Sequence, residues 1–402
     1  MSKANLITGL DIGTQSIKIL VSEKKSEGKL EAISQIRESS NGIRKGVIVN
    51  PEEVSNLLQE LFSGIKEDLG FKIDSVYVNI DGSHLFATPS RGIVSVSRAD
   101  QKISEEDVQR VLQAAQTFSL SSNKEIFNVF PREFIIDGQG GIKEALGLQG
   151  VRLEVEILAL GGFSPYLKNL TQTILDSELQ VLDMVPSPIA AASACLTEKQ
   201  KELGVAILDI GAGTSGLAVF EGGDLIHLAI LPVGSDNITN DIAVGLKTDI
   251  DIAERIKIEY GKCLFKGNDK KEKIEVGGEE PLVFSHKFLA KIIEARVSEI
   301  FEEVNKELKK ISREKLLPAG IVLTGGGAKL SKIVDLAKRE LKLPAKIGKP
   351  KGIEGIEDDP SLATLCGLVL LGSDLEGETK SSSFSGQGLG SKLKRIFKIF
   401  IP

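Results

Sequence analysis

The chain has few of the residues that build metal centres and disulfides. Its 402 residues include only three cysteines and three histidines. The cysteines are odd in number and lack C-x-x-C spacing, so we expect reduced thiols and a cytosolic protein. The histidines show no metal-ligand spacing, and we interpret them as structural.

Long apolar runs are also absent. No stretch approaches the roughly 20 residues of a membrane span, and because the N-terminus enters a strand almost at once we expect no signal peptide. A net charge of −6 argues against a general nucleic-acid binder. The hydrophobic share of 41% and mean hydropathy of +0.03 are typical of a globular protein, long enough for two or more domains.

One stretch, GVAILDIGAGTSGLAVF, organises the chain from Gly204 to Phe220. An apolar strand ends at Asp209, a glycine-rich corner follows, and a second apolar run begins at Leu217. The corner contains G-x-G-x-x-G, which in a dinucleotide site opens a helix. Here small and β-branched residues re-enter a strand instead, so we predict a tight β-hairpin.

The same pattern occurs near the N-terminus, in LITGLDIGTQSIKIL from Leu6 to Leu20. Asp11 follows an apolar strand, and Lys18 lies in the strand after the corner. Two strand–Asp–Gly–strand hairpins in one chain predict two similar lobes that face each other across a cleft.

Glycine corners let backbone N–H groups approach an anion, which favours phosphate binding. Aspartates beside phosphates hold a hydrated Mg²⁺ well, since this ion keeps several waters, and Lys18 would reach the phosphates as a point charge. A third element, IVLTGGGAKL from Ile321 to Leu330, reads as a strand that ends in glycines and opens a helix, which suits the α-phosphate and sugar of a nucleotide. The predicted nucleotide-binding residues are Asp11, Gly13, Thr14, Gln15, Ser16, Lys18, Asp209, Gly211, Ala212, Gly213, Thr214, Gly325, Gly326 and Gly327, with Asp11 and Asp209 holding the metal through water.

Each piece alone could be an ordinary glycine turn, but the three in this order resemble the actin, Hsp70 and sugar-kinase superfamily. The stretches Met184–Leu196 and Ser361–Leu371 are similar to its two crossing connector helices, rich in small residues that allow close packing. The resemblance implies ATP and Mg²⁺ as ligands. It also implies that Glu254 and Lys257, in DIDIAERIKIEYG, contact the ribose and adenine, although an exposed i,i+3 ion pair is an equal alternative. Gln172 lies about where actin orients its water, but glutamine on a helix usually faces solvent.

Residues 84–163 have the pattern of an inserted β-α-β-β module. The segments SRADQKISEEDVQRVL, NVFPREFIIDGQGGI and GLQGVRLEVEILALGG are similar to subdomain 1C of the FtsA family of bacterial cell-division proteins. Two positions depart from the family pattern: Asn128 stands where His is frequent, and Glu144-Ala145 where Asp-Pro is common. Both lie in the insertion, so they bear on contacts there and leave nucleotide binding untouched.

The resemblance implies an α/β, actin-like two-lobed ATPase fold with an inserted 1C subdomain and a C-terminal amphipathic helix. The implied divisions are subdomain 1A (1–83 and 164–196), 1C (84–163), 2A (197–231 and 318–358), 2B (232–317), a returning connector helix (359–372), a linker (373–390) and the terminal helix (391–402). Subdomain 2B is where the family receives the acidic tail of FtsZ. Lys291 and Arg296, on a segment similar to FtsA, are candidate acceptors, with a solvated helix face as the alternative.

The last residues, SKLKRIFKIFIP, alternate apolar and basic side chains at helical spacing. Leu393, Ile396, Phe397 and Phe400 share one helical face, and Lys394, Arg395 and Lys398 share the opposite one. This pattern is typical of a helix lying in the plane of an anionic phospholipid membrane, and a helix docked in a partner's groove is the alternative. The preceding linker is rich in Gly, Ser and charged residues.

The sequence is therefore identified as resembling FtsA over essentially its whole length. This implies an ATP-binding protein with slow hydrolysis that polymerises, contacts other division proteins through 1C, and tethers FtsZ filaments at the septum to the cytoplasmic face of the membrane. No nucleic acid is expected as a partner. A PilM-like pilus adaptor shares the fold, but the terminal amphipathic helix argues against it. A metabolite kinase would need a catalytic base and a sugar pocket, and the sequence displays no recognisable one.

Overall fold

The computed structural model of the protein describes residues 5–25, 28–275 and 281–379. In chain order the strands are β1 (Leu6–Ile12), β2 (Ser16–Lys24), β3 (Leu30–Ser39), β4 (Ile43–Arg44), β5 (Val47–Ile48), β6 (Ser75–Ile80), β7 (Phe86–Ser95), β8 (Lys124–Ile136), β9 (Gln139–Ile142), β10 (Arg152–Phe163), β11 (Gln180–Pro186), β12 (Val205–Ile210), β13 (Ser215–Glu221), β14 (Asp224–Leu231), β15 (Lys271–Ile274), β16 (Leu282–Ser285), β17 (Ile321–Thr324), β18 (Ala345–Ile347) and β19 (Ile353–Glu354). The helices are α1 (Pro51–Leu69), α2 (Glu105–Ala115), α3 (Ser164–Asp176), α4 (Ser187–Cys195), α5 (Glu198–Leu203), α6 (Ser235–Leu246), α7 (Ile250–Tyr260), α8 (His286–Lys310), α9 (Ile333–Leu341) and α10 (Ala363–Thr379).

Two sheets of similar topology form the two lobes. The first runs in the order β11-β6-β1-β2-β3-β19 and the second in the order β14-β13-β12-β17-β18. In each, an antiparallel hairpin carries the cleft aspartate: Asp11 lies opposite Lys18, and Asp209 lies opposite Gly216. A parallel strand, β6 or β17, adjoins the hairpin on its other side. Both predicted hairpins are thus confirmed, and the actin-like fold follows from their repetition.

The first lobe is covered by α1, whose ends follow local rules. Asn50 caps the N-terminus through its side chain, proline occupies the first turn, and Gly70 adopts the left-handed conformation at the C-terminus. Its buried residues, which include Val54, Leu58 and Ile65, pack into one core with the first sheet and α3. A second core fills the other lobe, and a third lies between the lobes around α4 and α10.

The inserted module is a four-stranded sheet in the order β7-β10-β8-β9, with α2 packed on it and a core of its own. Ser104 caps α2 in a capping box with Asp107, as its sequence predicts. The sequence predicts separate strands over 126–130 and 132–137, on either side of Pro131, whereas the structure has the single strand β8. Pro131, which cannot donate to the ladder, is accommodated by a register shift opposite Glu156 and Ile157.

The connector helices differ from expectation at their ends. Residues 184–186 complete β11, so the first connector helix begins only at Ser187. The second was expected to stop at Gly372, but α10 continues to Thr379, into the segment expected to be linker. Gly372 is needed for packing, because a Cβ there would lie 2.5 Å from the ring of Tyr77.

The two connector helices cross closely. A Cβ on Gly367 would overlap the carbonyl oxygen of Ala190, so only glycine lets α10 approach α4 this far. The expected close packing of small residues is confirmed at this crossing. It places the ends of both lobes' central strands around one cleft.

The glycine loop after β17 does not open an α-helix directly. A 3-10 turn spans Gly326–Lys329, and α9 begins only at Ile333, after Lys332 takes a left-handed conformation. Within the described ranges, no helix is long and apolar enough to cross a bilayer.

Candidate functional site

A cavity of about 480 Å³ lies between the lobes, at the corners of the two central hairpins. Nearly all the predicted nucleotide residues line it, together with others that the sequence did not single out. The predicted residues in its wall are Asp11, Gly13, Thr14, Gln15, Ser16, Lys18, Asp209, Gly211, Ala212, Thr214, Glu254, Lys257, Gly325, Gly326 and Gly327. Gly213 lies just behind the wall, where a Cβ would approach the Thr14 hydroxyl oxygen to 2.7 Å.

The first hairpin brings a lysine and a carboxylate together. The Lys18 ammonium lies 2.6 Å from an Asp11 carboxylate oxygen, and both side chains are largely buried. The turn is closed by a hydrogen bond from the Gly13 amide to the Ser16 carbonyl. A charge-assisted pair of this kind orients both side chains toward the cavity.

The second hairpin has the same closure, with the Gly211 amide donating to the Thr214 carbonyl. Asp209 accepts a 2.7 Å hydrogen bond from the Thr364 hydroxyl of α10. Burial raises the pKa of Asp209 to about 6, and the nearby charge of Asp11 adds to the shift. Gly325 has φ +81°, and a Cβ there would overlap an Asp209 carboxylate oxygen. A side chain at 325 would therefore displace this aspartate.

Two buried carboxylates that face one cavity from opposite lobes are suited to a hydrated divalent cation. Among the described residues, no group of three His, Cys, Asp or Glu side chains could hold a metal directly. Magnesium bound through water and phosphate oxygens fits this donor set, because it needs few protein ligands. Asp11 and Asp209 would accept hydrogen bonds from its waters.

The side of the cavity away from the hairpins is formed by α6, α7 and the glycine loop. The Lys257 ammonium is buried, lies 2.5 Å from Glu254, and donates to the Thr239 hydroxyl at 2.7 Å. The alternative of an exposed ion pair does not describe this arrangement. The pair forms part of the cavity wall, and its contact with a ribose or adenine stays a prediction.

Several cavity residues were not predicted from the sequence. Asp81 and Asn79 lie at the carboxyl end of β6, and Ser187 begins α4. Arg37, on β3, lies directly across from Lys18 in the antiparallel register, so it adds a second cation to this wall. The position of β6 in the sheet explains Asn79 and Asp81. Because β6 pairs with β1 in parallel, the carboxyl ends of the two strands reach the same cleft.

The structure does not bring Gln172 to the cavity. It lies on the exposed face of α3, where its amide donates to the Asp176 carboxylate at 2.7 Å. The solvent-facing alternative describes this side chain, and no water-orienting role is supported. The described parts of the cavity contain no other glutamine than Gln15.

The two candidate acceptors of an acidic peptide both lie on α8. Arg296 is engaged by the Asp241 carboxylate, at 2.7 and 3.0 Å, and by Glu299. Lys291 is exposed. The predicted membrane-binding residues, 393–400, lie outside the described residues.

The histidines have structural surroundings. His227 lies 2.9 Å from Glu307, and His286 lies 3.1 Å from Glu272. His84 packs on Tyr166 with ring centroids 5.0 Å apart, and burial lowers its pKa to about 4. His84 is therefore neutral at physiological pH.

Comparison with family models gives two matches. Residues 206–367 match the family described as cell division protein FtsA, and residues 82–160 match the SHS2 domain inserted in FtsA. The second match coincides closely with the module expected at 84–163.

Full-length relatives are similar over almost the entire chain. A cell division protein FtsA of Pseudomonas aeruginosa is 35% identical over 397 residues, covering 97% of this chain and 95% of the relative. The FtsA of Bacillus subtilis is 34% identical, covering 98% and 88%, and that of Escherichia coli K12 is 32% identical, covering 97% and 96%.

Solved structures show likeness of fold. A PilM–PilN type IV pilus biogenesis complex contains a chain with TM-score 0.67 at 16% identity, covering 91% of this chain and 98% of that one. The MreB5 of Spiroplasma citri bound to ADP has TM-score 0.58 at 14% identity, covering 94% and 99%.

Proposed function

This chain belongs to the FtsA family of cell division proteins, and from that premise we propose that it binds Mg-ATP between its lobes and tethers FtsZ filaments to the cytoplasmic membrane. The observation that carries the nucleotide part is a cavity lined by both hairpin corners and the glycine loop. Lys18 and Arg37 on one side supply the positive charge that a polyphosphate needs. The MreB5 structure, a fold relative, is described as bound to ADP.

In this cavity the residues of the chain have separate tasks. The glycine corners at 13–16 and 211–214 would lie beside the phosphates, and Asp11 and Asp209 would hold the waters of the magnesium ion. The ion itself neutralises phosphate charge when it is bound. Glu254 and Lys257 fix the ribose side. We expect slow hydrolysis, because Gln172, the candidate for orienting the attacking water, lies on the exposed face of α3 and outside the cavity.

The proposal that FtsZ is a partner rests on family membership and on an exposed surface formed by α6 and α8. The N-terminal end of α8 and the end of α6 expose Phe288 (46%) and Val244 (79%) beside the exposed Lys291. An apolar and basic surface suits an amphipathic acidic tail such as that of FtsZ. Because Arg296 is already paired with Asp241, we assign the first contact to Lys291 rather than to Arg296.

Self-association is proposed through the inserted module. Its edge exposes Leu146 (51%), Leu148 (44%) and Val151 (56%) close together in the chain. A contiguous patch of exposed apolar side chains is typical of a protein contact, and we propose that these three residues form one. A neighbouring subunit in a filament would cover them, and the other division proteins proposed as partners would compete for the module.

A tethering assay tests the proposal as a whole. The full chain, purified FtsZ, Mg-ATP and vesicles containing acidic lipid are mixed, and the FtsZ that pellets with the vesicles is measured. We expect FtsZ to co-sediment only with the full chain present, and to be lost when the chain is truncated after residue 390 or when FtsZ lacks its tail. FtsZ sedimentation that is indifferent to both deletions would refute the tethering function.

A further inference from the structure

A hydrogen bond crosses the cleft between the two lobes. Asp81 follows β6 in the first lobe, and its Oδ2 accepts from the Thr214 hydroxyl of the second lobe at 2.9 Å. The other carboxylate oxygen accepts from the Gly82 amide at 2.7 Å. Thr214 is the last residue of the corner that begins at Gly211, so the bond holds the predicted phosphate loop itself.

The surroundings leave Asp81 little freedom. The β4–β5 hairpin packs on it closely enough that a Cβ on Gly46 would lie 2.9 Å from the Cβ of Asp81. The carboxylates of Asp11 and Asp209 are near enough to act on it electrostatically. A carboxylate enclosed beside two others is stabilised chiefly by its hydrogen bonds. The hydrogen bond from the Thr214 hydroxyl therefore helps to hold both Asp81 and Thr214 in place.

Asp81 also stands at the start of the inserted module. The family match to the module begins at residue 82, and β7 begins at Phe86. Between them, the Leu85 amide bonds to the Gly82 carbonyl, and His84 packs on Tyr166 of α3. Residues 82–85, which we call the module root, are thus a short ordered connection from the cleft to the module.

The module itself also contacts the other lobe. Lys143, just after β9, forms an ion pair with Asp224 at the start of β14, and its ammonium also donates to the Arg132 carbonyl. The module is therefore linked to the second lobe by an ion pair at the far end of the β13–β14 hairpin, and its strands β7, β8 and β10 also pack against β14. The Asp81–Thr214 hydrogen bond is the contact that joins the module root to the second phosphate loop.

We propose that Asp81 is a positioning residue that couples the second phosphate loop, through Thr214, to the module root, so that occupancy of the cleft and the conformation of the module root depend on each other. This rests on the proposed nucleotide site for its ligand. Binding of polyphosphate at residues 211–214 shifts Thr214, and Asp81 conveys the shift to residues 82–85.

The first test uses the protein without nucleotide, so that it stands even if ATP binding fails. Amide hydrogen exchange is measured in the full chain and in Thr214→Val and Asp81→Ala. We expect Thr214→Val to speed exchange in residues 82–85, and Asp81→Ala to speed it in residues 211–214, each about tenfold, the loss expected for one hydrogen bond. Thr214→Ser, which keeps the hydroxyl, should behave as wild type. Unchanged exchange at the reciprocal segment overturns the coupling.

The second test adds Mg-ATP and uses a double-mutant cycle on the affinity for a fluorescent ATP analogue. Each single substitution should weaken binding about tenfold, and Asp81→Ala with Thr214→Val should be no weaker than either alone. ATP should slow exchange at the module root in wild type and not in Asp81→Ala. Additive losses, or ATP protection of residues 82–85 that survives in Asp81→Ala, contradict the proposal. If wild type itself fails to bind ATP, the proposed function fails, and the exchange experiment alone decides the coupling.

Discussion

Three consecutive glycines in the loop after β17 have different reasons to lack a side chain. Gly325 has a positive φ and lies against Asp209, and a Cβ on Gly327 would overlap the Ile210 side chain. Nothing lies within 4 Å of a Cβ built on Gly326, although this residue lines the cavity. A substitution at 326 therefore leaves the fold intact and changes only the cavity.

Gly326→Asp should abolish ATP binding, lowering affinity by about 100-fold or more, because it places an anion in the cavity wall where a polyphosphate must approach. The affinity can be measured by fluorescence titration, with the melting temperature recorded in parallel. Gly64→Asp on α1 is the matched control, since a Cβ there also meets nothing within 4 Å. Wild-type affinity in Gly326→Asp would remove the glycine loop from the nucleotide site.

Asp81 should make stability depend on pH. Burial is the largest cause raising its pKa to about 7, and the charges of Asp11 and Asp209 add to the shift. Its pKa in the unfolded chain is about 4, so between these values the folded state binds more protons and the free energy of unfolding falls as pH rises. We expect the nucleotide-free protein to lose on the order of 1–4 kcal/mol from this group between about pH 4 and pH 8.

Chemical denaturation of wild type and Asp81→Asn at a series of pH values isolates this contribution. The amide does not titrate, so the difference between the two proteins should grow as pH rises from about 4 to about 7 and then level off. A difference that stays constant over this range would show that Asp81 keeps an ordinary pKa.

The crossing of α4 and α10 is the contact on which the geometry of the cleft depends. The Thr364 hydroxyl of α10 donates to Asp209 at 2.7 Å and lies 3.3 Å from the Ser187 carbonyl of α4. Gly367 lies one turn further along α10, in close contact with Ala190. The crossing therefore holds α4 and α10 in fixed positions relative to Asp209.

Gly367→Ala should destabilise the protein by about 1–3 kcal/mol, because its methyl group has no space at the crossing. Equilibrium unfolding in urea measures the change. Gly64→Ala, on a helix with open space, should instead stabilise by up to about 1 kcal/mol through helix propensity. Equal effects at the two positions would mean that the helices can separate without loss.

The terminal segment 391–402 is the other element on which a prediction depends. Phe397→Glu with Phe400→Glu removes two apolar residues from the predicted membrane face, each of which contributes about 1.5–3 kcal/mol when fully buried. The double variant should bind ATP normally but no longer pellet with vesicles containing acidic lipid. Ser391→Glu alone is a control outside the apolar face, which should weaken vesicle binding by only about 1 kcal/mol because it adds a single charge that the acidic lipid repels. Normal pelleting of the phenylalanine variant would exclude this segment as the anchor.

Assembly of many copies into one filament should strengthen membrane binding when each single contact is weak. One short helix binds reversibly, and neighbouring helices on one filament raise each other's effective concentration. The proposed filament surface on the module should therefore influence membrane binding as well as polymerisation.

Leu148→Glu with Val151→Glu should prevent filaments from forming on lipid, because charges would enter a contact that buries apolar side chains. Electron microscopy of the ATP-bound protein on a lipid monolayer would detect strings of subunits in wild type. Val49→Glu, at a residue 62% exposed in the first lobe, is the control and should leave them intact. Strings formed by the Leu148/Val151 variant would place the contact elsewhere.

Local sequence rules were sufficient for the parts that depend on neighbouring residues. An apolar strand, an aspartate and a glycine corner specify a hairpin within about fifteen residues, and two such hairpins predicted the two lobes. The same holds for the ends of α1 and α2, where the capping side chain lies next to the turn that it closes. The cleft aspartates and glycines could therefore be named from the order of residues along the chain.

Contacts between distant segments could not be named in this way. Asp81 reaches the cleft because β6 joins β1 in parallel, and Arg37 because β3 pairs with β2. Gln172 was assigned by its position in the chain, yet α3 turns it to solvent. Gly372 looked like a helix end, but packing against Tyr77 lets α10 continue. For Asp81, Arg37 and Gly372 the deciding interaction is with a partner far along the chain, and no local pattern records which segments the sheets bring together.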